Sequence, residues 1–408
     1  MLGLRLACLA LVVGVATASA ASPRRRSHSL GLPWDGALVG GVQLPAAGRH
    51  FFTWDPVLRR KPDRGWRRFG SVRLVHVLHA VVRQYARAHP QAPRVGVGDL
   101  SRSRGGDFGI SYGWPGHASH QNGLDVDVYY PRRDRRERPP DSHAEIDRRL
   151  AQDLVTRFVR AGAQLVFVGP HTALQGPPRV VRVLALHDNH LHVRIRRPRP
   201  PSLMLGRSEV GRPIRVVEVG NPAGRRVLVV GCIHGTECAG RTIVRLLERR
   251  PESLHADLWL LENLNPDGFA LGVRQNGRGV DLNRNFPSEW RGSGRRWDPE
   301  YPGPRPLSER ETRIARSLVL RVRPTISLWF HQPQAVVRAW GRSVPAARRY
   351  ARLAGARFRR IRWPSGTASN WQNHRFPGTS SFVVELPPGR LSRAAAARYA
   401  RAVLALAD

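Results

Sequence analysis

Residues 117–130 read HASHQNGLDVDVYY, and this run decides how the first half of the chain is read. From Leu124 onward apolar residues alternate with carboxylates. That is the period of a β-strand, so Asp125 and Asp127 share one face while Val126 and Val128 enter a core. A second run, HDNHLHVRI at 187–195, alternates in the same way and puts His190 and His192 on one face. Two such strands side by side would converge His120, Asp127 and His192 on one cation. Three protein ligands with an open fourth position for the attacking water describe a hydrolytic zinc site. A lone buried histidine is more often a hydrogen-bonded core residue, but five of the chain's 16 histidines fall in these two runs.

Outward from these runs, the first half reads as α+β with a small, mainly antiparallel sheet. Val75, Leu78 and Val82 have helical spacing within 72–85. A short strand follows at 95–97, then a loop over 98–109 rich in glycine, serine and arginine, the kind of segment that walls a groove. The charge run RRDRRERPP at 132–140 reads as a solvated loop. Ser142 and Glu145 have capping-box spacing ahead of Ile146, Leu150, Leu154 and Phe158, the buried stripe of a second helix. Strands are expected at 165–168 and 180–186. RRPRPP at 196–201 can continue neither sheet nor helix, which places a linker at 196–203 between a unit spanning 27–195 and another spanning 204–408.

The second unit alternates strands with helices and reads as α/β, a doubly wound and mainly parallel sheet. A strand at 226–231 leads into CIHGTE at 232–237, read as the opening of a helix that runs to about Arg249. His234 and Glu237 at a strand-to-helix turn can reach one ion from the carboxyl edge of a sheet. His-x-x-Glu alone is a weak pattern. Its weight comes from NPDGF at 265–269, VDLNRNFP at 280–287, a strand at 325–330 ending at His331, and another at 381–384 delivering Glu385 before a helix from about Ser392.

The histidine runs of the first half, with SHSLG at 27–31, GALVGGVQLP at 36–45 and GDLS at 98–101, resemble the penicillin-insensitive murein endopeptidases, zinc peptidases of the lysostaphin and D-Ala-D-Ala peptidase type. The resemblance implies His120, Asp127 and His192 as zinc ligands and His190 as acid/base and transition-state stabiliser, with His117 and His187 as further site histidines. The strings of the second half resemble the zinc carboxypeptidases, in particular the branch that splits γ-D-glutamyl-diaminopimelate bonds in murein peptides. That implies His234, Glu237 and His331 as ligands of a second Zn2+ and Glu385 as general base. It further implies Arg274 at the scissile carbonyl, and Asn283 with Arg284 on a substrate carboxylate. The mobile tyrosine common in that family has no counterpart between Ala351 and Glu385, where Trp363 and Trp371 are the large aromatics.

Composition sets the context. With 67 basic and 30 acidic residues the net charge is +37, and Lys61 is the only lysine. Such a chain concentrates on anionic envelope polymers and binds nucleic acid without sequence preference, since no reading motif accompanies the charge. Arg5, the apolar run 6–15 and ASA at 18–20 read as a signal peptide cleaved near Ala20, followed by a basic arm at 21–26. The run is too short for a permanent membrane anchor. A periplasmic or secreted protein is therefore expected, and there Cys232 and Cys238 could form a bridge.

Together these readings describe an exported, bifunctional peptidoglycan peptidase. The first unit would cut D-Ala-diaminopimelate cross-links and the second γ-D-Glu-diaminopimelate bonds within stems, each with its own zinc. Two alternatives stand beside it: a cationic wall-binding protein with one or no active site, and a second unit that deacylates N-acyl amino acids.

Overall fold

The computed structural model describes residues 27–113, 116–198, 200, 202–249 and 255–407. The expected signal peptide and basic arm lie outside these residues. Among the described residues no helix is long and apolar enough to cross a membrane.

Two apolar cores form, one drawn from residues 44–195 and the other from 214–407. In the first, the helix Val72–Ala88 buries Leu74, Val75, Leu78, Val81, Val82 and Tyr85 on one stripe, and Ser71 caps it by accepting from the Leu74 N–H at 3.1 Å. The second helix, Arg148–Arg160, is capped by Asp147 and not by the expected capping box. Ser142 heads only the single 3-10 turn His143–Glu145 and caps nothing. Glu145 is occupied elsewhere, accepting from Arg132 and from the Asp141 N–H. Arg132 is buried and also grips Asp134, so the charge run is pinned by ion pairs at that end.

The sheet over these helices has seven strands in the order Val181–Val183, Ala163–Val168, His190–Ile195, Asp125–Tyr129, Val95–Val97, Phe51–Thr53, Ala47–Gly48. Four of its six pairings are antiparallel. His192 pairs with Asp127 and His190 with Tyr129. This register sends Val126, Val128, Leu191 and Val193, all 0% exposed, into the core and leaves the aspartates and histidines on the opposite face. The strand expected at 180–186 stops at Val183, and the exposed Leu186 takes φ 66° in the loop that returns to His187.

The second sheet has eight strands in the order Ser202–Arg207, Pro213–Gly220, Ala256–Leu261, Arg225–Val230, Ile326–His331, Ser380–Glu385, Val336–Ala339, Arg357–Arg360. Four of its seven pairings are parallel, in line with a mainly parallel sheet, and three are antiparallel, so the sheet is mixed. The four strands Ala256–Leu261, Arg225–Val230, Ile326–His331 and Ser380–Glu385 run parallel, with antiparallel neighbours on both sides. Connection length is the reason. Residues 208–212 and 332–335 are too short to hold a crossover, so the chain folds straight back. The helices Gly240–Arg249, Val344–Ala354 and Arg393–Ala407 pack together over this core. The first begins at Gly240, so His234 and Glu237 lie in the turn before it and not on the helix.

A buried carboxylate in this sheet gives a testable stability effect. Asp257 accepts from the Trp259 indole N–H at 2.9 Å, and its other oxygen has no partner. Burial first, then Glu218 nearby, pushes its carboxyl up to about 6. A folded value above the unfolded one means this group costs nothing below about pH 4 and costs stability as pH rises through 6. Asp257→Asn is expected to match wild type near pH 3.5 and exceed it by about 1 kcal/mol at pH 8, allowing for partial solvent screening. Thermal unfolding at the two pH values measures the difference, and equal shifts at both would exclude a titration origin.

Candidate metal centres

On the first sheet, His120 Nε2, Asp127 Oδ1 and His192 Nδ1 form a triangle with sides of 3.1, 3.2 and 3.3 Å. Tetrahedral zinc with bonds of about 2.0–2.1 Å needs edges of about 3.3 Å, so the three atoms stand at ligand spacing. The remaining ring atoms are tied down. His120 Nδ1 donates to the Leu100 carbonyl, its backbone N–H donates to Asp125 Oδ2 at 3.1 Å, and its φ of 68° turns the ring inward. His192 Nε2 faces Asp125 at 3.4 Å, and Asp125 is held by Arg194. Outer partners of this kind fix the tautomer and aim the free nitrogen at the cation. Burial lowers the pKa of His192, but Asp125 and Asp127 outweigh it and raise the imidazole to about 9. A cation entering here therefore displaces a proton.

His117 stands beside the triangle, with Nδ1 3.7 Å from Asp127 Oδ2, and forms a second ligand-spaced group with His120 and Asp127. Its Nε2 is 2.6 Å from Asp99, a buried carboxylate that also clamps Arg67 through two bonds. His190 Nε2 lies 3.8 Å from Asp127, while Nδ1 donates to Asn189. Burial pushes His190 down to about 4, so it is neutral at pH 7. His187 is further out, bonded to the Ala185 carbonyl, with its ring 4.8 Å from that of His190.

The second centre forms at the carboxyl edge of the second sheet. His234 Nδ1 and His331 Nδ1 lie 2.9 and 3.0 Å from Glu237 Oε2, and these atoms also group at ligand spacing. Burial disfavours the Glu237 carboxylate, but His234 and His331 hold it ionised far below the usual range. His234 Nε2 donates to the buried Asp281 at 2.9 Å, which leaves Nδ1 for the ion. Asp281 also receives Arg274 at 3.0 Å and the Asn283 N–H at 2.8 Å. Removing it by Asp281→Ala is expected to weaken zinc binding at this centre about 10–100-fold, the usual cost of losing a partner behind a ligand. Competition against a chromogenic chelator measures this, and an unchanged affinity would remove Asp281 from the site.

Arg274 reaches Glu237 at 2.5 Å. Asn283 is occupied internally: its Nδ2 lies 3.4 Å from His331 Nε2, and its Oδ1 accepts from the Ala368 N–H at 3.0 Å. Arg284 pairs with Glu300 at 2.5 Å. Glu385, aligned with His331 in the sheet, accepts from Arg338 at 3.1 Å through one oxygen, while the other is buried without a partner. All these side chains except Asp281 line one cavity of about 510 Å³. Trp363 lines it too, whereas Trp371 stacks on Phe286 in the core at 5.7 Å. Cys232 and Cys238 are bridged, closing a ring that contains His234 and Glu237.

Sequence reading assigned no site role to Asp99, Asp125, Asp281, Glu300 or Arg338. Asp125 and Asp281 sit inside the quoted runs, one alternation or two residues from assigned positions. Arg338 carries no signal against 67 basic residues.

Residues 29–168 match the penicillin-insensitive murein endopeptidase family and residues 194–374 the zinc carboxypeptidase family. Murein peptide amidase A of Vibrio campbellii is 30% identical over 202 residues, covering 45% of this chain and 78% of that protein. Murein peptide amidase A of Escherichia coli K12 is 35% identical over 153 residues, or 32% of this chain, which spans 59% of the length of that relative. Among solved structures, murein-tripeptide amidase MpaA from Escherichia coli O157 aligns with 26% identity and TM-score 0.43, covering 52% of this chain and 95% of that one. With a second half matched over most of an amidase and a first half matched to the endopeptidases, the chain belongs to the zinc carboxypeptidase family and carries a penicillin-insensitive murein endopeptidase domain ahead of that part.

Proposed function

We propose that this is an exported enzyme with two active centres for one polymer, peptidoglycan, each holding one zinc ion. The 27–195 unit hydrolyses D-Ala-diaminopimelate cross-links and the 204–408 unit γ-D-Glu-diaminopimelate bonds within the stem. One observation supports this most: each half gathers three ligand atoms at zinc spacing with a titratable side chain beside them. The kinship of the second half to proteins named murein peptide amidase supports the bond assigned to it.

Zinc, when bound, supplies Lewis acidity and lowers the pKa of a coordinated water. The chain's own groups do the rest. In the first centre the neutral His190 is positioned to take and return a proton at Nε2, with Nδ1 fixed by Asn189. In the second, the partnerless oxygen of Glu385 is the proton acceptor, its other oxygen held by Arg338. Arg274 offers a fixed guanidinium for charge developing on the carbonyl oxygen, and Arg284 receives a substrate carboxylate. Asn283 serves these roles indirectly, by steadying the His331 ring.

Digestion of cross-linked murein with the zinc-loaded protein tests this reading. Mass spectrometry should show dimeric stems converted to monomers, and diaminopimelate-containing peptides released from γ-glutamate. A digest lacking both products would refute the proposal. Export adds its own check: the protein recovered outside the cytoplasm should begin at Ala21.

A further inference from the structure

A cavity of about 310 Å³ opens beside the first centre, lined by Trp54, Arg59, Tyr129, Arg138, Asp141 and Asn189 among others. The sheet fixes its position. Tyr129 stands two residues past Asp127 on the same strand face, about 7 Å along it, and Asn189 holds His190 Nδ1 at 2.6 Å. The Tyr129 ring also lies 6.2 Å from that of His190. A peptide whose scissile carbonyl sits at the ligand triangle therefore reaches the cavity with its next one or two residues, at about 3.5 Å each.

Two arginines and one carboxylate of the protein face this space. Arg59 reaches one oxygen of Asp141 at 3.1 Å and Arg138 the other at 2.5 Å. Each guanidinium spends one N–H group on that contact, and among the described residues neither has another hydrogen-bond partner. The neighbouring acidic residues are engaged elsewhere: Glu137 by Arg94 and Lys61, Asp134 and Glu145 by Arg132. The cavity is left with excess positive charge and unspent donors.

Asp141 is itself fixed. Its N–H donates to Glu145 at 2.7 Å, and Glu145 is gripped by the buried Arg132, while Pro139 and Pro140 stiffen the chain just before it. One carboxylate on a pinned backbone thus holds two guanidiniums side by side, and their planar forks can take a second carboxylate through paired bonds. With 67 basic residues in the chain, an arginine at a groove means little by itself. Two aligned by a shared acid, in a cavity beside three ligand-spaced atoms, carry more weight.

The geometry points to this cavity as a carboxylate subsite of the first centre: Arg59 and Arg138 receive a free carboxylate of the stem peptide one or two residues from the scissile bond, with the Trp54 and Tyr129 rings against its apolar carbons. This rests on the endopeptidase reading and adds a selection rule to it. Stems whose carboxylates are amidated lack the charge and are opened more slowly.

The test gives two cross-linked dimers, one with its stem carboxylates free and one with the same groups amidated, to zinc-loaded full-length wild type and Arg138→Gln. Mass spectrometry reads cross-link opening. Wild type is expected to favour the free form in kcat/KM by about 10-fold, the scale of a charge-assisted contact partly screened by solvent. Arg138→Gln should bring the ratio to within about twofold of one, losing on the free dimer alone and opening the amidated one at the wild-type rate. A wild-type ratio near one, as an uncharged or saccharide occupant would give, overturns the proposal, and so does a variant that slows both dimers equally. If neither dimer is opened, the endopeptidase reading fails, and calorimetry with the same dimers decides the subsite. Tighter binding of the free form by wild type, lost in Arg138→Gln, sustains it; equal binding of the two forms ends it.

Discussion

Glu385→Gln is expected to lower the rate of the cut within the stem by about 10²–10⁴-fold, the contribution of a positioned general base, while cross-link opening continues at the wild-type rate. The substitution keeps the shape of the side chain and an oxygen for Arg338, whose bond to Glu385 measures 3.1 Å. It replaces the buried, partnerless oxygen, the atom free to accept a proton, with an amide nitrogen that cannot. His234, Glu237 and His331 are untouched, so zinc content should not change. Mass spectrometry of digested muropeptides reads the two cuts separately. Retention of the intra-stem product at wild-type yield would show that another group accepts the proton.

His192→Ala is the corresponding test of the first centre and should act through the metal. Loss of one of three ligands is expected to drop zinc from two ions per chain to one and to reduce cross-link opening at least about 10³-fold, leaving the intra-stem cut intact. The fold should survive. Asp125, which loses its contact with His192 Nε2, keeps its 2.6 Å bond to Arg194, so no buried carboxylate is left unpaired. Elemental analysis after dialysis gives the stoichiometry. Two ions retained would mean that His117, which already stands with His120 and Asp127, completes the set, and His192 would lose its place among the ligands.

The strands carrying Asp127 and His192 were legible because alternation has period two, and a run such as Leu124-Asp-Val-Asp-Val128 can bury its valines in only one way. Register did the remainder: His192 and Glu385 lie outside the segments matched to known families, yet the sheets align His192 with Asp127 and Glu385 with His331. The four strands read in the second half run parallel as expected, whereas the strands at 202–207, 213–220 and 336–339, which add the antiparallel pairings, went unread. The helix read as opening over 232–237 begins at Gly240, since a turn of small and polar residues has the composition of a helix start. The carboxylates behind the histidines were missed for another reason. Asp99, Asp125 and Asp281 act through contacts between distant segments, and no local spacing reports a contact of that kind.

The bridge between Cys232 and Cys238 encloses His234 and Glu237 in a ring whose ends are six positions apart. Two of the three groups proposed to hold the second zinc are therefore tethered near each other even in a denatured chain, which shortens the conformational search before an ion arrives. The ring closes only where thiols are oxidised. Material synthesised in a reducing bacterial interior would begin life with it open, and preparations from two expression hosts could share a sequence and still differ in how firmly they keep the second zinc.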